Sequence, residues 1–236
     1  MQDADGRNSR LTLWFHLGDD TYSAFGRSRS LVEAARTIFQ QAPLGTSDGL
    51  SPYMFHTKIM LKEPKLGGSW EWHQDFGYWY NQGLLQPEKC FSCIIALDHH
   101  TEANGCLQVL QGSHLLGRVE HGVYGGQAGV DSERLAVARE LFPLVHCVLS
   151  PGDLLITHSN LLHASGPNNS DDWRRSMIIA YNAKDNEPLT QDTIIPKYTP
   201  IDVIEDSQLL SWGVVPHDAH RKDFLNANRN IDSFKK

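Results

Sequence analysis

Two short segments of the sequence carry side chains that commonly bind metal ions. The first contains His73 and Asp75, two positions apart in the tetrapeptide WHQD. In an extended segment, side chains alternate between two faces, so these two residues would project from the same face and could chelate one ion. Because a histidine often lies this close to an aspartate by chance, the pair needs a third ligand from elsewhere in the chain.

The second segment follows Pro151 and contains His158 and His163, with Arg174 on a strand-like run further on. One neutral imidazole from this segment would complete a set of two histidines and one carboxylate. Such a set occupies one face of an octahedron and suits non-haem Fe(II) that activates O2. Zinc is the alternative metal, because two histidines and a carboxylate also bind hydrolytic zinc.

Arg174 favours iron over zinc. It lies two positions before Ser176 on the same run, which places a guanidinium fork and a hydroxyl on one strand face. That combination is suited to binding a carboxylate. An iron oxygenase that uses 2-oxoglutarate needs such an anchor opposite the metal, whereas a zinc hydrolase does not.

The composition favours a small molecule as the partner. The 236 residues fit a single domain, 1–236, and the net charge of -7 comes with scattered lysines and arginines. This argues against nucleic acid or an anionic membrane as a partner. No apolar run approaches the roughly 20 residues that span a bilayer. Without a secretory segment, a cytoplasmic protein with reduced thiols is expected, and the oligomeric state is left open.

At least seven short β-rich runs, bounded by Gly, Pro, Asn and Asp, predict a sandwich or barrel. A helix is predicted from Ser30 to Gln41, with Ser30 and Glu33 as a capping box. Residues 115–143 form a long insert whose second half reads as a helix capped by Asp131. A connection of this length is a candidate lid, with a surface loop as the alternative.

Three motifs resemble, in order, those of the phytanoyl-CoA dioxygenase-like family of Fe(II)/2-oxoglutarate oxygenases, which includes ectoine and aminoethylphosphonate hydroxylases. They are WHQD at 72–75, NGCLQVLQGSH at 104–114, and PGD with LLHASGPN and WRRS at 151–176. The resemblance runs from about Met54 to Ala183. It implies a mainly β fold, a double-stranded β-helix or jelly-roll barrel of the cupin type with a few flanking helices. It also implies hydroxylation of a C–H bond, with Fe(II) as cofactor, 2-oxoglutarate and O2 as cosubstrates, and succinate and CO2 as products.

The resemblance implies that His73, Asp75 and His163 are the metal ligands and that His158 is structural. Contacts to 2-oxoglutarate are implied for Arg174, Ser165, Ser176, Lys62 and Ser92. Lys58 lies on the same predicted strand face as Lys62 and could replace it. Members usually begin with some tens of residues more, so the N-terminal part is expected to be shortened.

Trp79 and Tyr78, just after WHQD, are the best candidates to line a substrate pocket, and His121 of the insert could contact a head group. Aromatic faces would suit an amine or quaternary ammonium through cation–π attraction, while the insert resembles that of the phosphonate hydroxylases. Two alternatives stay open. One is a cupin-like zinc hydrolase, and the other is a family member that binds a metabolite without turnover.

Overall fold

A computed structural model describes residues 2–18, 20–124, 127–190 and 194–212 of the chain. The strands are β1 (Arg10–Trp14), β2 (Pro52–Lys62), β3 (Trp70–His73), β4 (Cys90–Ala96), β5 (Leu107–Leu110), β6 (His121–Tyr124), β7 (Gln127–Val130), β8 (Leu144–Cys147), β9 (Leu154–His158), β10 (His163–Ser165) and β11 (Arg174–Ala183). The helices are α1 (Thr21–Arg27), α2 (Arg29–Phe39), α3 (Asp75–Asn81), α4 (Ser132–Leu141) and α5 (Asp206–Trp212).

The strands form two antiparallel sheets whose inner faces enclose one cavity. The larger sheet has the order β1-β2-β11-β4-β9, and the smaller has the order β3-β10-β5-β8. Strands distant in the chain are neighbours in each sheet, as a jelly roll requires. The hairpin β6–β7 forms a separate ribbon. This architecture is the mainly β barrel that the sequence predicts.

The outer face of the larger sheet is covered by α2. Its apolar side packs on side chains of β2, β4 and β11, and together they form a buried cluster that includes Leu31, Phe39, Met54, Phe91 and Ile179. Removing this surface from water is the main force that holds the helix on the sheet. The other face of the same strands is therefore free to line the cavity.

The capping box predicted at Ser30 and Glu33 is wrong. Helix α2 begins at Arg29, and the hydroxyl of Ser28 accepts a hydrogen bond from the backbone N–H of Leu31. The Ser30 hydroxyl instead bonds the carboxylate of Asp206, in α5. Ser28 also ends α1, so one serine separates two consecutive helices.

The insert at 115–143 contains the β6–β7 hairpin and α4, and two of its glycines, 125 and 126, lie outside the described residues. The side chain of Asp131 accepts a hydrogen bond from the backbone N–H of Arg134, so the predicted N-cap of α4 is confirmed. Within the described part of the chain, none of the helices is both long enough and apolar enough to cross a membrane.

Gly105 holds the β4–β5 connection against the loop that follows β10. Its φ is +75°, and a Cβ there would lie 2.1 Å from the carbonyl oxygen of Gly166. Gly105→Ala should therefore destabilise the protein by about 2–5 kcal/mol, the sum of backbone strain and a steric clash. Gly152 is the matched control, because its φ is +91° and no atom lies within 4 Å of its added Cβ. Gly152→Ala should cost only about 1–2 kcal/mol.

Urea unfolding of both variants measures this difference. Equal losses of unfolding free energy in the two variants would show that the close approach at Gly166 does not matter.

Candidate active site

Two antiparallel strands of the smaller sheet bring the predicted histidine ligands together. His73 ends β3, His163 begins β10, and the two residues are register partners. Their ring centroids are 4.2 Å apart. Asp75 begins α3, and its carboxylate returns to the same point, so that one ligand atom from each of the three residues lies within 4.8 Å of the others.

The orientation of both imidazoles is fixed by backbone carbonyls. The Nδ1 of His73 donates to the carbonyl of Glu71 at 2.7 Å, and the Nδ1 of His163 donates to the carbonyl of Leu161 at 2.8 Å. Because a carbonyl can only accept, Nδ1 carries the proton in each ring, and Nε2 presents a lone pair. Each Nε2 lies 3.9 Å from Oδ1 of Asp75.

Burial and the local charges set the protonation that a metal requires. Burial, and then the neighbouring His163, lower the pKa of His73 to about 3. Burial alone would raise the pKa of Asp75. The charge of Lys58, the two histidines and a hydrogen bond from Ser92 outweigh it and hold that pKa below its usual range. Neutral imidazoles and an ionised carboxylate are the forms that bind metals, so the donor set fits Fe(II) in a facial triad.

Gln74 joins the two ligand segments to the insert. Its side-chain amide donates to the carbonyls of Gly117 at 2.8 Å and Asn160 at 2.7 Å, and its oxygen accepts from the N–H of Val119 at 2.8 Å. The side chain is fully buried. The sequence did not predict this role. Alternation of side chains along a strand directs Gln74 away from the ligands, but it does not identify the residues that Gln74 contacts.

The triad opens into a cavity of about 200 Å³ between the two sheets. Arg174 lies in its wall and is only 4% exposed. Burial lowers the pKa of its guanidinium to about 10, which still leaves it charged. Its Nε has no hydrogen-bond partner, and it forms no ion pair with any described carboxylate. A buried guanidinium without a counter-ion is costly, so the site favours a bound anion.

The other residues predicted to contact 2-oxoglutarate divide into two groups. Ser92, Ser165, Ser176 and also Lys58 line the cavity. Lys62 does not, because its Nζ donates to the Ser165 hydroxyl at 2.7 Å and to the Gly166 carbonyl at 2.5 Å. Lys62 therefore lies behind Ser165. Lys58, which the sequence offers as the alternative to Lys62, lies in the cavity wall.

Two of the three predicted substrate residues reach the cavity. Trp79 and Tyr78 line it, and the Tyr78 hydroxyl donates to the carbonyl of Ala128 in the insert at 2.9 Å. His121 does not line the cavity, since Nδ1 donates to the carbonyl of Val119 and Nε2 accepts from the N–H of Gln74. The Nδ1 bond lies within the insert and the Nε2 bond joins the insert to the WHQD segment, so both ring nitrogens are occupied and neither faces a substrate.

His158, the histidine that the resemblance leaves out of the ligand set, lies apart from the triad. Its ring packs against His114, with centroids 5.2 Å apart, and its Nδ1 accepts from the backbone N–H of Asn160. Of the two histidines that the sequence offers in this segment, the structure therefore brings His163 to the ligand cluster.

Comparisons with known proteins show which family and which solved folds this chain resembles. The sequence profile of the phytanoyl-CoA dioxygenase family matches residues 3–176. An L-proline trans-4-hydroxylase from Streptomyces griseoviridis is 28% identical over 205 residues, which cover 79% of this chain and 73% of that protein. An ectoine dioxygenase from Halomonas elongata is 27% identical over 216 residues, which cover 84% of this chain and 61% of that protein.

A crystal structure of EctD from S. alaskensis with 2-oxoglutarate and 5-hydroxyectoine superposes with a TM-score of 0.67. It is 21% identical and covers 83% of this chain and 67% of that one. At this identity the likeness concerns the fold, and it confirms the predicted double-stranded β-helix.

Ser92 orients the carboxylate ligand, because its hydroxyl donates to Oδ2 of Asp75 at 2.8 Å. Partners of this kind typically contribute 10–100-fold to metal affinity, so Ser92→Ala should weaken Co(II) or Fe(II) binding by at least about tenfold. Anaerobic calorimetric titration measures the affinity. Ser159→Ala is the matched control, since that buried hydroxyl bonds the Pro87 carbonyl and touches no ligand. Equal losses in both variants would contradict the assignment.

Proposed function

We propose that this chain, which belongs to the phytanoyl-CoA dioxygenase family, hydroxylates a C–H bond of a small molecule with Fe(II), 2-oxoglutarate and O2. In this proposal His73, Asp75 and His163 hold the Fe(II). Arg174, with Ser165 and Ser176, binds the distal carboxylate of 2-oxoglutarate. The products are succinate, CO2 and the hydroxylated substrate, which together account for both atoms of O2.

One observation carries the proposal: among the residues that the structure describes, Arg174 is a buried cation without a counter-ion, and it lies in the same cavity as the triad. The guanidinium fork matches a carboxylate in two parallel hydrogen bonds, which a point charge cannot do. A zinc hydrolase would leave this buried arginine without a ligand. The cavity therefore favours a cosubstrate that carries a carboxylate at some distance from the metal.

The relatives support the same chemistry. Their names record a proline hydroxylase and an ectoine dioxygenase. Structures of EctD from S. alaskensis are described with bound Fe and with 2-oxoglutarate. All of these named substrates are small molecules, which agrees with a cavity of about 200 Å³ in this chain.

Bound Fe(II) would supply the redox chemistry that couples oxidative decarboxylation of 2-oxoglutarate to oxygen insertion into a C–H bond. The protein's own contribution is geometric. The carbonyls of Glu71 and Leu161 keep both imidazoles in the metal-binding tautomer, and Ser92 fixes the carboxylate. Apolar side chains of both sheets, including Leu13, Ile94 and Leu107, line the cavity and exclude water from the reacting centre.

The insert, with α4 and the β6–β7 hairpin, is a proposed cover for the cavity mouth. Hydrogen bonds of the insert with the side chains of Gln74 and Tyr78 support this role, because they fix the insert to the WHQD segment and to α3.

Arg174→Ala should weaken 2-oxoglutarate binding strongly while metal binding persists. Losing one partner of a buried charge pair costs about 2–5 kcal/mol, which is at least a thirtyfold rise in Kd. The measurement is the visible charge-transfer band that appears when 2-oxoglutarate is added to the Fe(II) protein without oxygen. Arg175→Ala is the matched control, because this neighbouring exposed arginine pairs with Asp98 at 2.7 Å and should leave the band unchanged.

Two results would contradict the proposal. One is a wild-type protein that binds Fe(II) yet gives no band at saturating 2-oxoglutarate. The other is an Arg174→Ala variant whose band titrates like the wild type. A band that survives in His163→Ala would overturn the choice of the distal ligand.

A further inference from the structure

We propose that His56 and Lys58 bind an oxoanion group of the substrate, so that the enzyme selects small acids such as carboxylates or phosphorus oxoacids. This inference rests on the proposed function, because it concerns the second ligand of the same cavity. Neither residue belongs to the motifs that identify the metal site. Together they are called the His56–Lys58 pair below.

His56 is a buried imidazole with an unsatisfied nitrogen. It lies in the cavity wall, is 7% exposed, and its Nδ1 has no hydrogen-bond partner among the described residues. Phe55 and Trp79 pack on the ring, with centroids 5.7 and 5.6 Å away. Buried polar atoms in folded proteins are almost always paired, so an orphaned one beside a cavity indicates a ligand atom.

Lys58 supplies a positive charge beside His56. It lies two positions further along β2, and both side chains line the cavity. Its ammonium makes no hydrogen bond or salt bridge within the described residues, although its charge acts on both His56 and Asp75. A neutral imidazole next to a free ammonium donates hydrogen bonds to an oxoanion, whereas a cationic group there would be repelled.

The pair lies at a different end of the cavity from the cosubstrate anchor. In the β2–β11 register, His56 faces Ala180, Lys58 faces Ile178, and Arg174 faces Lys62. At about 3.4 Å per residue, the Cα atom of Arg174 is about 20 Å along the strands from that of His56 and about 14 Å from that of Lys58. These are backbone separations, and all three side chains line the same cavity. Ser92, which holds Asp75, is also paired with Ala180, on the other side of β11 from His56. The pair is therefore level with the metal centre.

The net charge of the cavity also favours an anionic substrate. Its charged lining side chains are two cations, Lys58 and Arg174, and one anion, Asp75. Fe(II) and the 2-oxoglutarate dianion contribute equal and opposite charges, so the loaded cavity keeps one uncompensated positive charge. A monoanionic substrate neutralises it. A quaternary ammonium, which the aromatic residues near the metal suggest from sequence, would add to the positive charge instead.

Three benzene derivatives of equal size test the proposal, because they differ in charge. Benzoate, benzamide and benzylammonium are titrated against the Zn(II) protein, in which the redox-inert metal prevents turnover. Saturating 2-oxoglutarate is present to occupy Arg174. Calorimetry measures the affinity. Benzoate should bind in the millimolar range or tighter, benzamide at least about tenfold more weakly, and benzylammonium more weakly still.

Substitutions then locate the binding site. His56→Leu and Lys58→Met should each weaken benzoate binding by at least about tenfold, and His56→Gln, which keeps a hydrogen-bond donor, should restore part of it. Met60→Leu is the matched control, because Met60 lines the cavity from the same strand face and carries no polar group. Without ligand, His56→Leu should not lower the melting temperature, since it removes an unsatisfied buried nitrogen.

The proposal is overturned if benzoate fails to bind, if benzylammonium binds more tightly, or if His56→Leu and Lys58→Met bind benzoate like the wild type. Failure of the proposed function is a separate result, namely no charge-transfer band in the wild-type Fe(II) protein. In that case the same titrations are made in the Arg174→Ala background. There, dependence of benzoate binding on the His56–Lys58 pair still supports this inference, and independence overturns it.

Discussion

The antiparallel register between β3 and β10 is the constraint on which the whole site depends. It makes His73 and His163 direct partners, which places two imidazoles side by side without any loop having to close on them. Backbone carbonyls two residues before each histidine then fix the tautomers. Because β3 ends at His73 and α3 begins at Asp75, the change of secondary structure within WHQD brings the carboxylate to the same point. A slip of one residue would turn one imidazole to the other face of the sheet.

The cavity combines this rigid centre with cations that have no counter-ion. Within the described part of the chain, Arg174 and Lys58 line it without an ion pair, and His56 keeps an unsatisfied nitrogen. These features lower stability in the absence of ligands, and they are retained where ligands bind. Two separated positive groups suit two acidic ligands that flank one metal. The positions of these side chains along β2 and β11 thus correspond to the proposed order of ligands in the cavity.

The family, the β architecture and the candidate metal ligands that the structure brings together were accessible from sequence, because each depends on motifs or on the alternation of side chains along a strand. Lys58 and Lys62 could not be separated in this way, since both lie on one strand face. They differ in their hydrogen-bond partners, because Ser165 at the end of β10 and Gly166 just after it accept hydrogen bonds from Lys62. His121 and Gln74 depend on contacts between the insert and the WHQD segment, which no local pattern encodes. From sequence alone, His56 cannot be distinguished from a buried core residue. Only the cavity beside it indicates a role in ligand binding.

The proposed metal and 2-oxoglutarate sites are tested most directly by a crystal structure of the anaerobic Fe(II) protein with 2-oxoglutarate. Anomalous diffraction is recorded at the iron absorption edge. We expect a single iron peak within bonding distance of Nε2 of His73, Nε2 of His163 and the Asp75 carboxylate. We also expect a carboxylate of 2-oxoglutarate bound to the guanidinium of Arg174. Iron bound elsewhere, or 2-oxoglutarate that makes no contact with Arg174, would contradict the proposed sites.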